Sequence, residues 1–396
     1  MAWIVFWGVV SIRFVLPLLV FRFPLPAIIA CLIIDAADQT IFHAISGAPL
    51  SGYQTYDKAL DIHYLTIAYF STMRNWRHEY AFRWSRFLFV YRLVGVFLFE
   101  LLDRRWVLFV FPNTFEFAFV AFEGIRTRWD PVRLSRRAIV WSVATIWVLI
   151  KLPQEWWIHV AQLDLTDVLV ERPVVWTVVA GVVVAPLGGL MIFRNRLPTA
   201  NWPLTFDVDR HQRSPAAGAV ADEGFFSAVL IEKLVLLALV IDIFANALPD
   251  VEARDARLLV GVSLLVLLNA AITQLLRRRG HTWSTVLREF LAVLTINIAV
   301  VTIDAAVGTR RVAHLPGQDT LFFVVLLSAL IALFDRYRLR RRAALQISIG
   351  SWRAQRLPEI RRRISTSRPR NLRAADATCI RRAIGSPTTV AALRSI

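Results

Sequence analysis

The chain has 396 residues, of which 57% are hydrophobic and 19% charged, with a mean hydropathy of +0.53, a formal net charge of +17 and a pI near 11.1. Soluble domains average roughly 45–50% apolar and about 25% charged residues, so these proportions exclude an ordinary soluble domain and point to lipid as the solvent. Two cysteines, Cys31 and Cys379, exclude a disulfide framework and a CxxC metal pair.

In chain order, apolar helical spans are expected at 2–21, 24–46, 57–76, 84–102, 106–123, 138–159, 174–193, 224–247, 257–276, 284–307 and 319–336. Each is near the length that a hydrocarbon core of about 30 Å requires. The fold expected is therefore all-α, a polytopic transmembrane helix bundle of eleven spans, or ten if residues 1–21 lie along the membrane surface. The start Met1-Ala2-Trp3-Ile4 has neither a basic n-region nor a small-residue cleavage site, which favours a retained first span over a removed signal peptide. The two spans with the least apolar patterning are the first, interrupted by Arg13 and Pro17, and the third, polar at its amino end.

Sidedness follows from arginine. With the amino end outside, the loops facing the cytoplasm hold 17 arginines, among them Arg74, Arg77, Arg83 and Arg86, while the opposite loops hold 7. The carboxyl end is then cytoplasmic. Trp156 and Trp157 on the outer side, and Trp76 and Trp84 on the inner, stand where interfacial aromatic anchors belong.

Residues 1–336 form the expected membrane domain, with a flexible cytoplasmic loop at 194–223. Residues 337–396 carry 15 arginines against Glu359 and Asp376 and read as a basic, disordered cytoplasmic tail. The tail accounts for most of the positive charge, so the net charge says nothing about an anionic substrate. Anionic lipid headgroups attract such a segment by about 1 kcal/mol per basic residue, and without aromatic interleaving beyond Trp352 no nucleic-acid partner is expected.

Charge inside a bilayer costs roughly 2.5–3.5 kcal/mol at mid-depth and is kept when paired, hydrated or used. Most such residues fall in the outer half: Asp35 and Asp38; Asp57, Lys58, Asp61 and His63; Glu100; Lys151, Glu155 and His159; Asp242; Asp304. Asp35 and Asp38, and Asp57 and Asp61, are spaced to share helical faces, and the turn 46–52 lets the two faces meet. Four carboxylates there could hold Mg²⁺ or Ca²⁺, or share protons in a relay. Alternatively, Asp57 and Asp61 are the solvated first turn of their helix, with Lys58 as counter-charge.

A second constellation is Lys151-Leu152-Pro153-Gln154-Glu155-Trp156-Trp157-Ile158-His159. Pro153 removes a backbone donor, and Lys151 and Glu155, four apart, can pair across the resulting kink. It suits either a substrate site or a structural kink with a self-neutralised pair. A third group is Pro112-Asn113-Thr114-Phe115-Glu116 with Glu232-Lys233, in which Glu116 is expected to pair with Lys233 or Arg92 as structural glue. Gly181, Pro186, Gly188 and Gly189 suggest close packing or a hinge, and Asp207-Val208-Asp209-Arg210-His211 has metal-capable residue types without metal-site spacing. No HExxH, Walker A, Rossmann or GxSxG pattern occurs.

At Tyr56-Asp57-Lys58-Ala59-Leu60-Asp61, Phe111-Pro112-Asn113-Thr114-Phe115-Glu116 and Lys151 through Asp164, the chain resembles multi-pass integral membrane proteins of high-GC actinobacteria that have no established activity. The resemblance implies a bacterial cytoplasmic membrane and carries over no catalytic residue. The function expected is a transporter or permease for a small polar or ionic solute with an outward-facing acidic cavity. Asp35, Asp38, Asp57, Asp61, Lys151 and Glu155 are its candidate site residues. The alternative is a membrane-embedded transferase acting on a lipid-linked substrate at the outer leaflet. No cofactor, metal or oligomeric state follows from the sequence.

Overall fold

The computed structural model describes residues 2–46, 53–161, 199–200, 204–207, 228–247, 256–278, 286–307, 321–338 and 341. Among them there is helix and no strand. The helices are α1 (Ala2–Val15), α2 (Pro24–Ser46), α3 (Tyr53–Asn75), α4 (Glu79–Leu102), α5 (Trp106–Val110), α6 (Thr114–Arg126), α7 (Arg136–Thr145), α8 (Ala228–Ala247), α9 (Ala256–Arg278), α10 (Val286–Val307) and α11 (321–338). By chain contacts, Met1–Arg341 form one compact unit. The second unit, Arg342–Ile396, lies outside the described residues, as do Gly181, Pro186, Gly188 and Gly189.

Local chemistry sets the interruptions. Pro17 cannot donate a backbone hydrogen bond, and α1 tightens there into a 3-10 turn, Leu16–Phe21. Beyond α7 the helix continues as a π-helix over Ile146–Lys151, one α-turn at Leu152–Glu155 and a second π-helix over Trp156–Val160, so two widened segments flank Pro153. Between α5 and α6 the chain breaks at Phe111-Pro112-Asn113. Gly95 of α4 makes room for this break, because a Cβ there would overlap Phe111 Cβ.

The hydrophobic centre is α3. Ile62, Leu65, Ile67, Tyr69, Phe70 and Met73 are fully enclosed, against Phe82 and Phe89 of α4, Phe115 and Phe119 of α6, Leu237 of α8 and Phe334 of α11. The Tyr69 and Phe89 rings stack at 4.6 Å. This explains the weak apolar pattern of the third expected span. A helix enclosed by protein can carry polar groups, and some of those on α3 find partners: Thr66 donates to the Ile62 carbonyl at 2.6 Å, and Ser85 of α4 to Thr72 at 3.2 Å, whereas Ser71 Oγ and both polar side-chain atoms of Asn75 have none.

Among the described residues, some large apolar side chains are exposed and some charged ones buried. Trp141 is 71% exposed and Leu149 70%, with Ile33, Ile231, Leu287 and Ile303 comparably open, whereas Lys151, Lys233, Glu116 and Glu155 are buried. One stretch of the described residues, Trp106–Arg126, is long and apolar enough to cross a membrane, and Gly8–Phe21, Pro24–Ala36 and Val260–Leu275 are shorter apolar helices.

Polar links tie the helices together. Asn269 of α9 donates to Asn297 of α10 at 2.6 Å, and Asn297 donates to Ser328 of α11 at 2.9 Å, all three fully enclosed. At the other end of α11, Arg338 pairs with Glu232 at 3.0 Å and Asp335 with Lys233 at 2.8 Å. Arg341 donates to the Trp76 carbonyl at 2.8 Å and to Glu79 at 2.6 Å, with its guanidinium 3.4 Å from the centre of the Phe82 ring. Burial lowers the Arg341 pKa from its ordinary value, and the Glu79 carboxylate opposes that shift. Trp76 is buried and donates to Glu123 at 2.7 Å, so it is a core residue and not the interfacial anchor expected from its place next to a turn.

Candidate functional site

Two groups of buried and half-buried charges stand out among the described residues. The first contains the acidic hairpin. Asp35 of α2 and Asp61 of α3 do converge, but on Arg13 of α1, whose Nη2 reaches Asp61 at 2.8 Å and also bonds Asp35. Arg13 is almost fully enclosed, while the two carboxylates keep about a quarter of their surface exposed, at 29% and 28%. Next to this trio His63 bonds the Phe14 carbonyl at 3.0 Å and stacks on the Phe14 ring. The side chains of Asp38, Asp57 and Asp304 lie outside the described residues. Among the described residues no group of three or more His, Cys, Asp or Glu side chains is disposed to hold a metal. Glu100 and Asp242 interact electrostatically between α4 and α8.

The second group is built around the α5–α6 break, where it faces the π-helical segments. Asn113 is the hinge. Its backbone amide donates to Glu155 Oε1 at 3.0 Å, and its side-chain amide donates to Glu116 Oε2. One residue therefore ties a carboxylate on α6 to a carboxylate on the distorted helix. Glu116 also accepts from the Tyr64 hydroxyl of α3 at 3.1 Å and lies 3.9 Å from Lys151 Nζ. The Lys151 ammonium stands 4.2 Å from the centre of the Phe117 ring, a cation–π contact. Glu155 Oε2 bonds His159 Nε2 at 2.9 Å, and the Arg92 guanidinium of α4 adds a further attraction. Arg92 in turn donates to the Phe111 carbonyl at 3.0 Å, which secures one of the acceptors freed by the break.

This geometry corrects two expected pairings. Lys151 and Glu155 share the buried face and attract each other electrostatically, but the close partner of Lys151 is Glu116 at 3.9 Å and that of Glu155 is His159 at 2.9 Å. Glu116 does not reach Lys233, whose partner is Asp335. The adjacent Glu232 and Lys233 each find a partner on another helix, as the 100° step between neighbours requires. Glu232 also accepts from the Tyr69 hydroxyl at 3.0 Å and lies 3.6 Å from Arg86.

Several residues that build these sites were not identified as such from sequence. Arg13 looked like an interruption of an apolar run, yet an arginine inside such a run is itself the sign of a buried partner. Tyr64 and Gly95 carry no local signal, since their roles depend on contacts with Glu116 and Phe111 far along the chain. Asn113 is marked by the Pro112 before it, because a proline inside a span frees backbone groups that a polar neighbour must satisfy. Val208–His211 lie outside the described residues.

No known protein family, no curated protein and no solved structure matches this chain.

Proposed function

We propose that the chain is a multi-pass integral membrane protein of a bacterial cytoplasmic membrane, with eleven spans, the amino end outside and the carboxyl end in the cytoplasm. In this reading it carries a small polar or ionic solute across the bilayer at the α5–α6 break. Exposed large apolar side chains such as Trp141 and Leu149, together with ionisable groups paired inside, support the membrane reading, because lipid favours both. The carrying observation for transport is the Asn113 hinge. A discontinuous helix meets a π-distorted helix, and the freed amide and side chain of Asn113 hold two buried carboxylates. Broken helices lining an ion-paired centre are the usual form of a solute site in secondary transporters, and π-distortions concentrate at functional sites.

The transferase reading takes Asp35, Asp38, Asp57 or Asp61 as metal ligand or base. Asp35 and Asp61 each bond Arg13, and the side chains of Asp38 and Asp57 lie outside the described residues. The Asn113 hinge favours transport.

The test begins with an alkaline carbonate wash of membranes from expressing cells, followed by reconstitution and stopped-flow swelling in isosmotic polar and ionic solutes. Retention in the membrane is expected, with at least one solute entering faster than into empty liposomes and slowed by Glu155→Gln. Release by carbonate, or swelling no faster than that of empty liposomes in every solute, contradicts the reading.

A further inference from the structure

The break also limits what kind of solute it can take. Its fixed charges cancel: Arg92 and Lys151 stand against Glu116 and Glu155, joined through Asn113, and His159 adds charge only when protonated. A balanced, buried set has no charge left over for an ionic guest, which would carry its own desolvation cost of several kcal/mol. Yet hydrogen-bonding capacity is left over. The Thr114 hydroxyl, on a residue 1% exposed, and Asn113 Oδ1, on a residue 7% exposed, have no hydrogen-bond partner, and neither has Arg92 Nε. Asn113 does not use its side chain to cap α6, so that oxygen is not spent on the helix end either. The first of these atoms donates and accepts, the second accepts and the third donates. Buried polar atoms left unpaired cost about 1–3 kcal/mol each, so these three, two on the break and one on the α4 residue bonded to it, offer a guest hydrogen bonds and not net charge.

Resting on the transport reading above, we infer that the break binds a small uncharged solute that offers both hydrogen-bond donors and acceptors, of the polyol or amide class. Thr114 and Asn113 Oδ1 contact the solute directly. Glu116, Glu155, Lys151 and Arg92 fix the shape of the break while neutralising one another.

Thr114→Val is the discriminating variant because it keeps the side chain's shape and deletes only the unpaired hydroxyl. Proteoliposomes of the wild-type chain and of Thr114→Val are compared by swelling in glycerol, erythritol, urea, potassium lactate and choline chloride, alongside thermal unfolding in detergent. The inference expects entry of glycerol, erythritol or urea and not of the two salts. It also expects Thr114→Val to slow that entry about tenfold, the value of one hydrogen bond of about 1.4 kcal/mol, with Tm unchanged or raised. Entry of the salts alone overturns the neutral-solute inference and leaves the transport reading intact, whereas entry of none of the five overturns both. A Thr114→Val protein that carries the neutral solutes at the wild-type rate, or whose slower entry comes with a lowered Tm, overturns the assignment of Thr114 to the solute.

Discussion

The backbone amide of Asn113 donates to Glu155 Oε1 at 3.0 Å, which fastens the break between α5 and α6 to a helix that is itself distorted on both sides of Pro153. The same residue's side chain donates to Glu116. Asn113→Asp would replace that donor with a third carboxylate and leave an uncompensated buried charge, a change costing about 3–5 kcal/mol. Adding Glu116→Gln restores a donor–acceptor pair with its direction reversed. Thermal unfolding in detergent is expected to show a large loss of Tm for the single variant and recovery of most of it in the double variant; equal losses in both would show that the two side chains do not act as a pair.

Arg13 offers a second test of buried pairing. It is enclosed and bonds both Asp35 and Asp61. Arg13→Met removes one cation from two carboxylates and is expected to destabilise the fold by about 3–5 kcal/mol, because the cost is mainly that of leaving charge without its partner. Neutralising the partners as well, in Arg13→Met with Asp35→Asn and Asp61→Asn, is expected to return much of the stability. The check is chemical or thermal unfolding of the purified protein, and a triple variant weaker than Arg13→Met would contradict the pairing.

Gly95 is required by packing and not by backbone conformation. Its missing side chain is what lets Phe111 of the break lie against α4. Gly95→Ala is expected to cost about 1–3 kcal/mol through overpacking, even though alanine is the better helix former. Phe111→Ala added to it creates space and is expected to relieve part of the loss. A Tm for Gly95→Ala at or above that of the wild type would place Phe111 elsewhere.

The carboxyl-terminal boundary can be tested by truncation. Chains ending after Arg341 keep the bonds of Arg338 to Glu232 and of Arg341 to Glu79 and the Trp76 carbonyl; chains ending after Arg336 lose all of them. Hydrogen bonds to charged groups contribute about 1.5–3 kcal/mol each. The longer truncation product is expected to fold with near wild-type Tm, and the shorter to be markedly less stable by size-exclusion chromatography and thermal unfolding.

The helical character and most helix positions were legible in the sequence, because apolar runs of span length separated by arginine-bearing turns leave little choice. Partners were less so. Glu232 and Lys233 had to bond to other helices, but nothing in their neighbourhood pointed to Arg338 and Asp335, about a hundred residues away. For Lys151 the local candidate, Glu155 at i+4, was misleading: Asn113 and His159 already satisfy Glu155, and Glu116 lies across the break. The polar third span was read as a weak span because hydropathy measures preference for lipid, whereas α3 is surrounded by protein.

The most direct measurement of whether the break is a solute passage is the reactivity of a cysteine placed in it. Thr114 is 1% exposed, so a passage must open to let a reagent in. With Cys31 and Cys379 replaced by alanine, Thr114→Cys in intact cells is expected to react with a small water-soluble methanethiosulfonate reagent, and glycerol or erythritol at high concentration is expected to slow the reaction. A Thr114→Cys protein that is unreactive from both sides of the membrane when folded, yet fully reactive once denatured, would contradict a solute passage at the α5–α6 break.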